Sequence, residues 1–169
     1  MARIKKAVWK DFPSVKNLYA DFEWEVDGIS GISRIGAIKR AIKIIIEYDK
    51  YYVAEEEYQI VGMACFVPSN EIRYFDSTLR KEIELKGGVI WNGFVKKEYR
   101  RHKICSLLLT KIEEDAKQVG LPYLYTISNS PGAIELIKRR EYVEVGTELM
   151  SEKWLGHPGD YKMFRKQLT

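Results

Sequence analysis

Between Lys96 and Ser106 the chain reads KKEYRRHKICS, with a β-forming stretch before it and an apolar helical repeat after it. The first backbone N–H groups of a helix lack intrahelical partners, and the aligned peptide dipoles leave that end electropositive. Arg100, Arg101, His102 and Lys103 add basic side chains to that end, which is poor electrostatics for a free helix. A strand, a basic turn and a helix in this order make an anion cradle, and a pyrophosphate would satisfy it. On charge alone, the run also reads as a solvated basic turn. His102 reads as a surface residue and Cys105 as a small packing residue.

Other chemistries find little support. There is no phosphate-binding P-loop, no G-x-G-x-x-G and no G-x-S-x-G. The histidines, His102 and His157, lie far apart without an H-E-x-x-H context, and Cys65 and Cys105 form no C-x-x-C pair. Neither a hydrolytic triad nor a metal site is expected.

The elements that must hold this cradle can be read from periodicity. ARIKKAVW is a first strand, and a helix follows with Asp11 as N-cap and Pro13 in its first turn. Its apolar face carries Phe12, Val15, Leu18, Tyr19 and Phe22, and DGISG ends it. A second helix is expected over about Ser33 to Tyr48. Tyr51 to Glu55 and Ile60 to Val67 form a hairpin around an acidic turn, and the stretch SNEIRYFDSTLRKEIELKGG stays unassigned. GGVIWNGFVKK is a strand in which Gly93 suggests a bulge or a close backbone approach. KICSLLLTKIEEDAKQVG is a helix with Leu108, Ile112, Ala116 and Val119 on one face and Gly120 as its stop. LPYLYTIS is a strand, NSPGAIELIKRRE a helix capped by Asn129 or Ser130, and YVEVGTELM and DYKMFRKQL are closing strands.

The order predicts one mixed α/β domain over residues 1–169. An apolar content of 46% excludes a disordered chain, and the net charge of +4 suits an anionic ligand as well as nucleic acid. No secretory signal or membrane span is visible, so a reducing cytoplasmic location is expected.

Taken in order, these segments resemble the GNAT superfamily of acyl-CoA-dependent N-acyltransferases over nearly the whole chain. VKKEYRRHKICSLLLTKIEEDAKQVG is similar to the family's acyl-CoA motif, Q/R-x-x-G-x-G/A. The resemblance implies a central, twisted, mostly antiparallel sheet with splayed fourth and fifth strands, flanked by helices. It implies acetyl-CoA as co-substrate and a small-molecule or peptide amine as acceptor. Gly93, Phe94 and Val95 would offer strand backbone to the pantetheine arm. The amides of Arg101, His102, Lys103, Ile104, Cys105 and Ser106 would hold the pyrophosphate, with Arg100 at the Q/R position. Asn129 or Ser130 would bond the CoA arm.

Departures from the family pattern bear on catalysis. Lys103 and Cys105 stand at the two small positions, and lysine removes the conformational freedom of glycine. Ile137 falls where the family often has its proton-donating Tyr, and Glu141-Tyr142 replaces the usual Gly-Phe. The general base would fall near Tyr125, which equally reads as core or pocket wall. Tyr19, Phe22 and Trp24 are candidates for an acceptor pocket. Lys138, Arg139 and Arg140 read as an exposed helix end or as a site for the CoA 3′-phosphate. A non-catalytic acyl-CoA-binding domain is the first rival. A nucleic-acid-binding protein using both basic clusters is the second, disfavoured because the basic residues are spread along the chain. Whether the chain acts as a monomer or a homodimer stays open.

Overall fold

The computed structural model describes residues 2–27, 50–68, 87–150 and 159–168, without the side chains of 22–27, 91, 92, 148–150 and 159. The expected helix at Ser33 to Tyr48 and most of the unassigned stretch lie outside these residues, as do the side chains of Phe22, Trp24 and Trp91. The described strands are β1 (Arg3–Lys6), β2 (Tyr51–Glu56), β3 (Gln59–Pro68), β4 (Gly87–Val95), β5 (Tyr123–Ser128), β6 (Val143–Met150) and β7 (Gly159–Gln167). The α-helices are α1 (Phe12–Asp27), α2 (Ile104–Gln118) and α3 (Pro131–Arg139). The sheet runs β1-β2-β3-β4-β5-β7-β6. The β1–β2, β2–β3, β5–β7 and β6–β7 pairs are antiparallel, and β4–β5 is parallel. This mixed α/β fold is the one the sequence predicted.

The chain divides into two compact units, Met1–Cys65 with Asn92–Lys111, and Phe66–Trp91 with Ile112–Thr169. In the first, Val53, Ala54, Val61 and Met63 are fully buried, and Val15 and Leu18 supply the inward face of α1. Asp11 does not cap α1 through its carboxylate, as expected from sequence. The carboxylate turns back, accepting from Val8 N at 3.0 Å and from Lys5 Nζ at 3.0 Å. The hairpin turn is two residues, Glu57 and Tyr58, with φ of 49° and 65°. Both are left-handed, as a tight two-residue hairpin loop of this kind requires, although neither is glycine.

In the second unit, Gly87 pairs with Tyr123 and the register runs to Ile90↔Thr126. Both strands continue beyond it, β4 to Val95 and β5 to Ser128, with no further register pair among the described residues. Gly87 leaves room for its neighbour, since a Cβ there would lie 2.6 Å from Tyr123 O and 2.9 Å from Tyr125 Cε2. Among the described residues, the two end strands differ in kind. β1 presents Arg3, Lys5 and Lys6, and β6 carries a register break between Glu144 and Gly146. Val119, expected on the buried face of α2, is 69% exposed because the helix ends at Gln118 and Gly120 turns the chain with φ +77°.

Candidate active site

The turn into α2 is built in the first unit. Lys96 N donates to Val61 O at 2.9 Å, anchoring the end of β4 on β3. A 3₁₀ turn, Lys97–Tyr99, follows, and Arg100 leaves it with extended backbone. Arg100 Nε donates back to Val95 O at 2.9 Å, and its guanidinium lies 5.5 Å from the Phe94 ring centroid. Part of this side chain therefore braces the turn, a role the sequence reading did not assign to it.

Arg101 and Lys103 both have positive φ, 68° and 62°. The expectation that lysine removes the glycine-like conformation is therefore corrected. The backbone holds it at Lys103, at a cost of roughly 1–2 kcal/mol for an L-residue. Leu107 N donates to Lys103 O at 2.9 Å, making Lys103 the cap residue, with the amides of Ile104, Cys105 and Ser106 ahead of that bond. No acidic residue lies in the first turn of α2, while Arg101, His102 and Lys103 are exposed. Ile104 is buried, and Cys105 and Ser106 are half-buried.

The strand end has an open side. A Cβ at Gly93 would meet nothing within 4 Å, and its φ is not positive. Among the described residues, no atom beyond its chain neighbours lies within 4 Å of where a side chain at Gly93 would begin. Phe94 and Val95 are buried beside it.

Gly93 to Val95 and Arg100 to Ser106 thus come together in one unit, while Tyr125, Asn129 and Ser130 belong to the other. Tyr125 is fully buried, at the paired end of β5, with its ring beside Gly87. Asn129 and Ser130 are exposed. Ser130 occupies the N-cap position of α3, but its side chain makes no capping bond, so the cap role read from sequence is not filled by its hydroxyl. Its backbone N–H donates to Ser128 Oγ at 3.1 Å.

The second basic cluster is matched by carboxylates. Lys138 Nζ lies 3.5 Å from Glu144 Oε2, and Arg139 pairs with Glu135 one turn back. Arg140 makes a two-pronged contact to Glu113, Nε to Oε1 at 3.2 Å and Nη2 to Oε2 at 2.9 Å. Lys166 Nζ at 3.0 Å and Tyr142 OH at 3.2 Å also donate to Glu113. Burial pushes the Glu113 carboxyl up, but Arg140 and Lys166 outweigh it, and the net shift is below the usual carboxylate range. Burial and the Glu113 charge push the Tyr142 hydroxyl above its ordinary value.

Ile137 is 6% exposed on α3. Ile137→Tyr, which restores the family's proton donor on paper, adds bulk to this packed position. It is expected to cost about 1–3 kcal/mol in chemical denaturation and to give no gain in turnover.

The mixed α/β fold and the order of strand, basic turn and helix are those that the GNAT resemblance implied. The sequence matches the acetyltransferase (GNAT) family over residues 2–142. The chain belongs to the GNAT acetyltransferase family. Solved structures with the same fold include the ribosomal-protein-alanine N-acetyltransferase from Brucella melitensis, 21% identical, with a TM-score of 0.73, covering 98% of this chain and 99% of that one. An N-acetyltransferase from Staphylococcus aureus Mu50 is 16% identical, with a TM-score of 0.71 and coverage of 100% and 99%. The protein yncA from Salmonella typhimurium, solved with its cofactor acetyl-CoA, is 16% identical, with a TM-score of 0.73 and coverage of 100% and 95%. No curated protein matches the sequence significantly.

Proposed function

We propose that this chain, as one domain over residues 1–169, transfers the acetyl group of acetyl-CoA to the amine of a small molecule or peptide in the cytoplasm. The observation that carries the reading is the pair of positive-φ residues, Arg101 and Lys103, leading into a helix whose first turn holds no carboxylate. That backbone aims successive N–H groups toward one anion. The residues fit a CoA thioester on two counts. Exposed cations flank the α2 terminus, and Gly93 leaves clear the space a side chain would fill.

In this reading the amides from Arg101 to Ser106 hold the pyrophosphate, and the backbone of Gly93, Phe94 and Val95 aligns the pantetheine arm. The amine nitrogen attacks the thioester carbonyl, a C–N bond forms, the C–S bond breaks, and the amine proton ends on the sulfur or in water. Holding the two reactants in line supplies a large share of the rate. No membrane-crossing helix is found among the described residues, and neither Cys65 nor Cys105 is in a disulfide.

A second reading, an acyl-CoA-binding domain without turnover, is favoured by Tyr125 and Ile137, both buried where the family places proton-transfer groups. Titration with acetyl-CoA followed by CoA release against a panel of amines separates the two. Binding with release supports the transferase; binding without release from any acceptor favours the second reading; no binding overturns both. The buried ring of Tyr125 reads as wall, so Tyr125→Phe is expected to change turnover less than about twofold. A tenfold loss with an unchanged melting temperature would assign its hydroxyl to proton transfer.

Lys103→Gly tests the cradle itself. It relieves left-handed strain but adds freedom to the unfolded chain, so stability is expected to rise by no more than about 1 kcal/mol. Loss of one exposed cation is expected to weaken acetyl-CoA binding about threefold at low salt and less at high salt, by calorimetry at two ionic strengths. Tighter binding would instead show that the lysine side chain obstructs the phosphates.

A further inference from the structure

We propose that Gly62 on β3 is a positioning residue. Its missing side chain sets how closely the start of α2 seats against the end of β4. That spacing is the one a CoA thioester must span between strand carbonyls and helix amides. The inference rests on the acetyl-CoA reading above.

Gly62 is not required by its backbone, since it is not among the residues with positive φ. A strand-interior glycine without that need marks a close approach. A Cβ at position 62 would lie 3.0 Å from Ile104 Cγ2, 3.3 Å from Phe94 O and 3.3 Å from Val95 Cγ2. These three neighbours are the first residue of α2 and the last two of β4. All are buried, so none can yield into open space. β3 cannot easily withdraw either. Gly62 is paired with the fully buried Ala54 of β2, and the adjacent Val61 O accepts from Lys96 N at 2.9 Å. A methyl group at 62 must therefore shift Ile104 or the Phe94 carbonyl, moving one half of the proposed binding frame against the other.

The test measures binding of three probes, CoA, inorganic pyrophosphate and pantetheine, to wild type, Gly62→Ala and Gly62→Ala/Ile104→Leu. Leucine keeps the side-chain volume but removes the β-branched methyl in contact. Gly62→Ala is expected to weaken CoA about tenfold while each fragment changes less than about twofold, because only CoA spans the shifted distance. The double variant is expected to recover CoA binding to within about threefold. Should Gly62→Ala alone fail to fold, recovery of folding and CoA binding in the double variant supports the same contact. Unchanged CoA binding in Gly62→Ala, equal weakening of all three probes, or failure of the double variant to recover overturns the inference. Wild-type protein that binds CoA but shows none of these differences overturns it alone; wild-type protein that binds no probe overturns the acetyl-CoA reading as well.

Discussion

Glu113→Gln is expected to destabilise the protein by about 1–3 kcal/mol, the cost of removing a charged acceptor whose cationic partners are partly screened by water. Glu113 is 8% exposed and accepts from Arg140, Lys166 and Tyr142. Glutamine has the carboxylate's shape but no charge, so Arg140 and Lys166 would lose the anion they share. Urea unfolding curves measure the loss. The pH dependence follows from the lowered Glu113 value. A carboxyl held below its ordinary range contributes stability that is complete above its unfolded value, near 4.5. That contribution is lost as pH falls from there through the folded value. Glu113→Gln should therefore flatten the acid limb of the stability profile as well as lower its plateau. Glu144, exposed and paired with Lys162 at 3.0 Å, is the control. Its replacement by glutamine is expected to change stability little, because exposed pairs are screened by water. Equal effects at the two positions would show that the Glu113 cluster is not buried in solution.

The second large effect concerns binding. Arg101→Glu with Lys103→Glu is expected to weaken acetyl-CoA about a hundredfold with the fold intact. Opposite charges about 4 Å apart in water attract by roughly 1 kcal/mol. Turning attraction into repulsion at an exposed site is therefore worth about 1.4 kcal/mol or more, tenfold for each residue. Both side chains are exposed, so circular dichroism and melting temperature should stay near wild type. Affinity measured between low and moderate salt should lose most of its dependence on ionic strength. Retained tight binding would move the anion away from this turn.

The elements were largely legible because their patterns are local. The apolar stripe of Leu108, Ile112 and Ala116 is buried along α2 as periodicity requires. In the β2–β3 hairpin, β2 starts at Tyr51 as predicted, and the other three strand ends lie one residue past their predicted positions. What escaped depends on contacts distant in sequence or on backbone that residue type conceals. Glu113 meets residues 27, 29 and 53 positions away, and nothing in KIEEDAK distinguishes it from its exposed neighbour Glu114. Lys103 lacks the glycine that normally announces a left-handed residue, yet adopts the conformation. Glu141 does the same at φ 66°, directly after α3. Gly62 sits within IVGMACFV with one visible signal, a glycine among strand formers, and its reason lies on β4 and α2. The brace from Arg100 to Val95 was hidden by the motif itself, since the family pattern points that side chain toward the ligand.

The two ends of the sheet, as formed by the described residues, bear on how copies of this chain tolerate crowding. An exposed strand edge is a template for another chain, and repeated edge pairing leads to aggregates. At one end β1 offers Arg3, Lys5 and Lys6 within a four-residue strand. A second copy docking there would bring Arg3 and Lys6 near their like, whereas Lys5 is neutralised by Asp11 and Glu55. At the other end, the irregularity at Glu144 and Gly146 breaks the regular ladder that an incoming strand would need. Neither edge favours open-ended growth, so concentrated samples should stay clear of fibrils for as long as these strands remain folded.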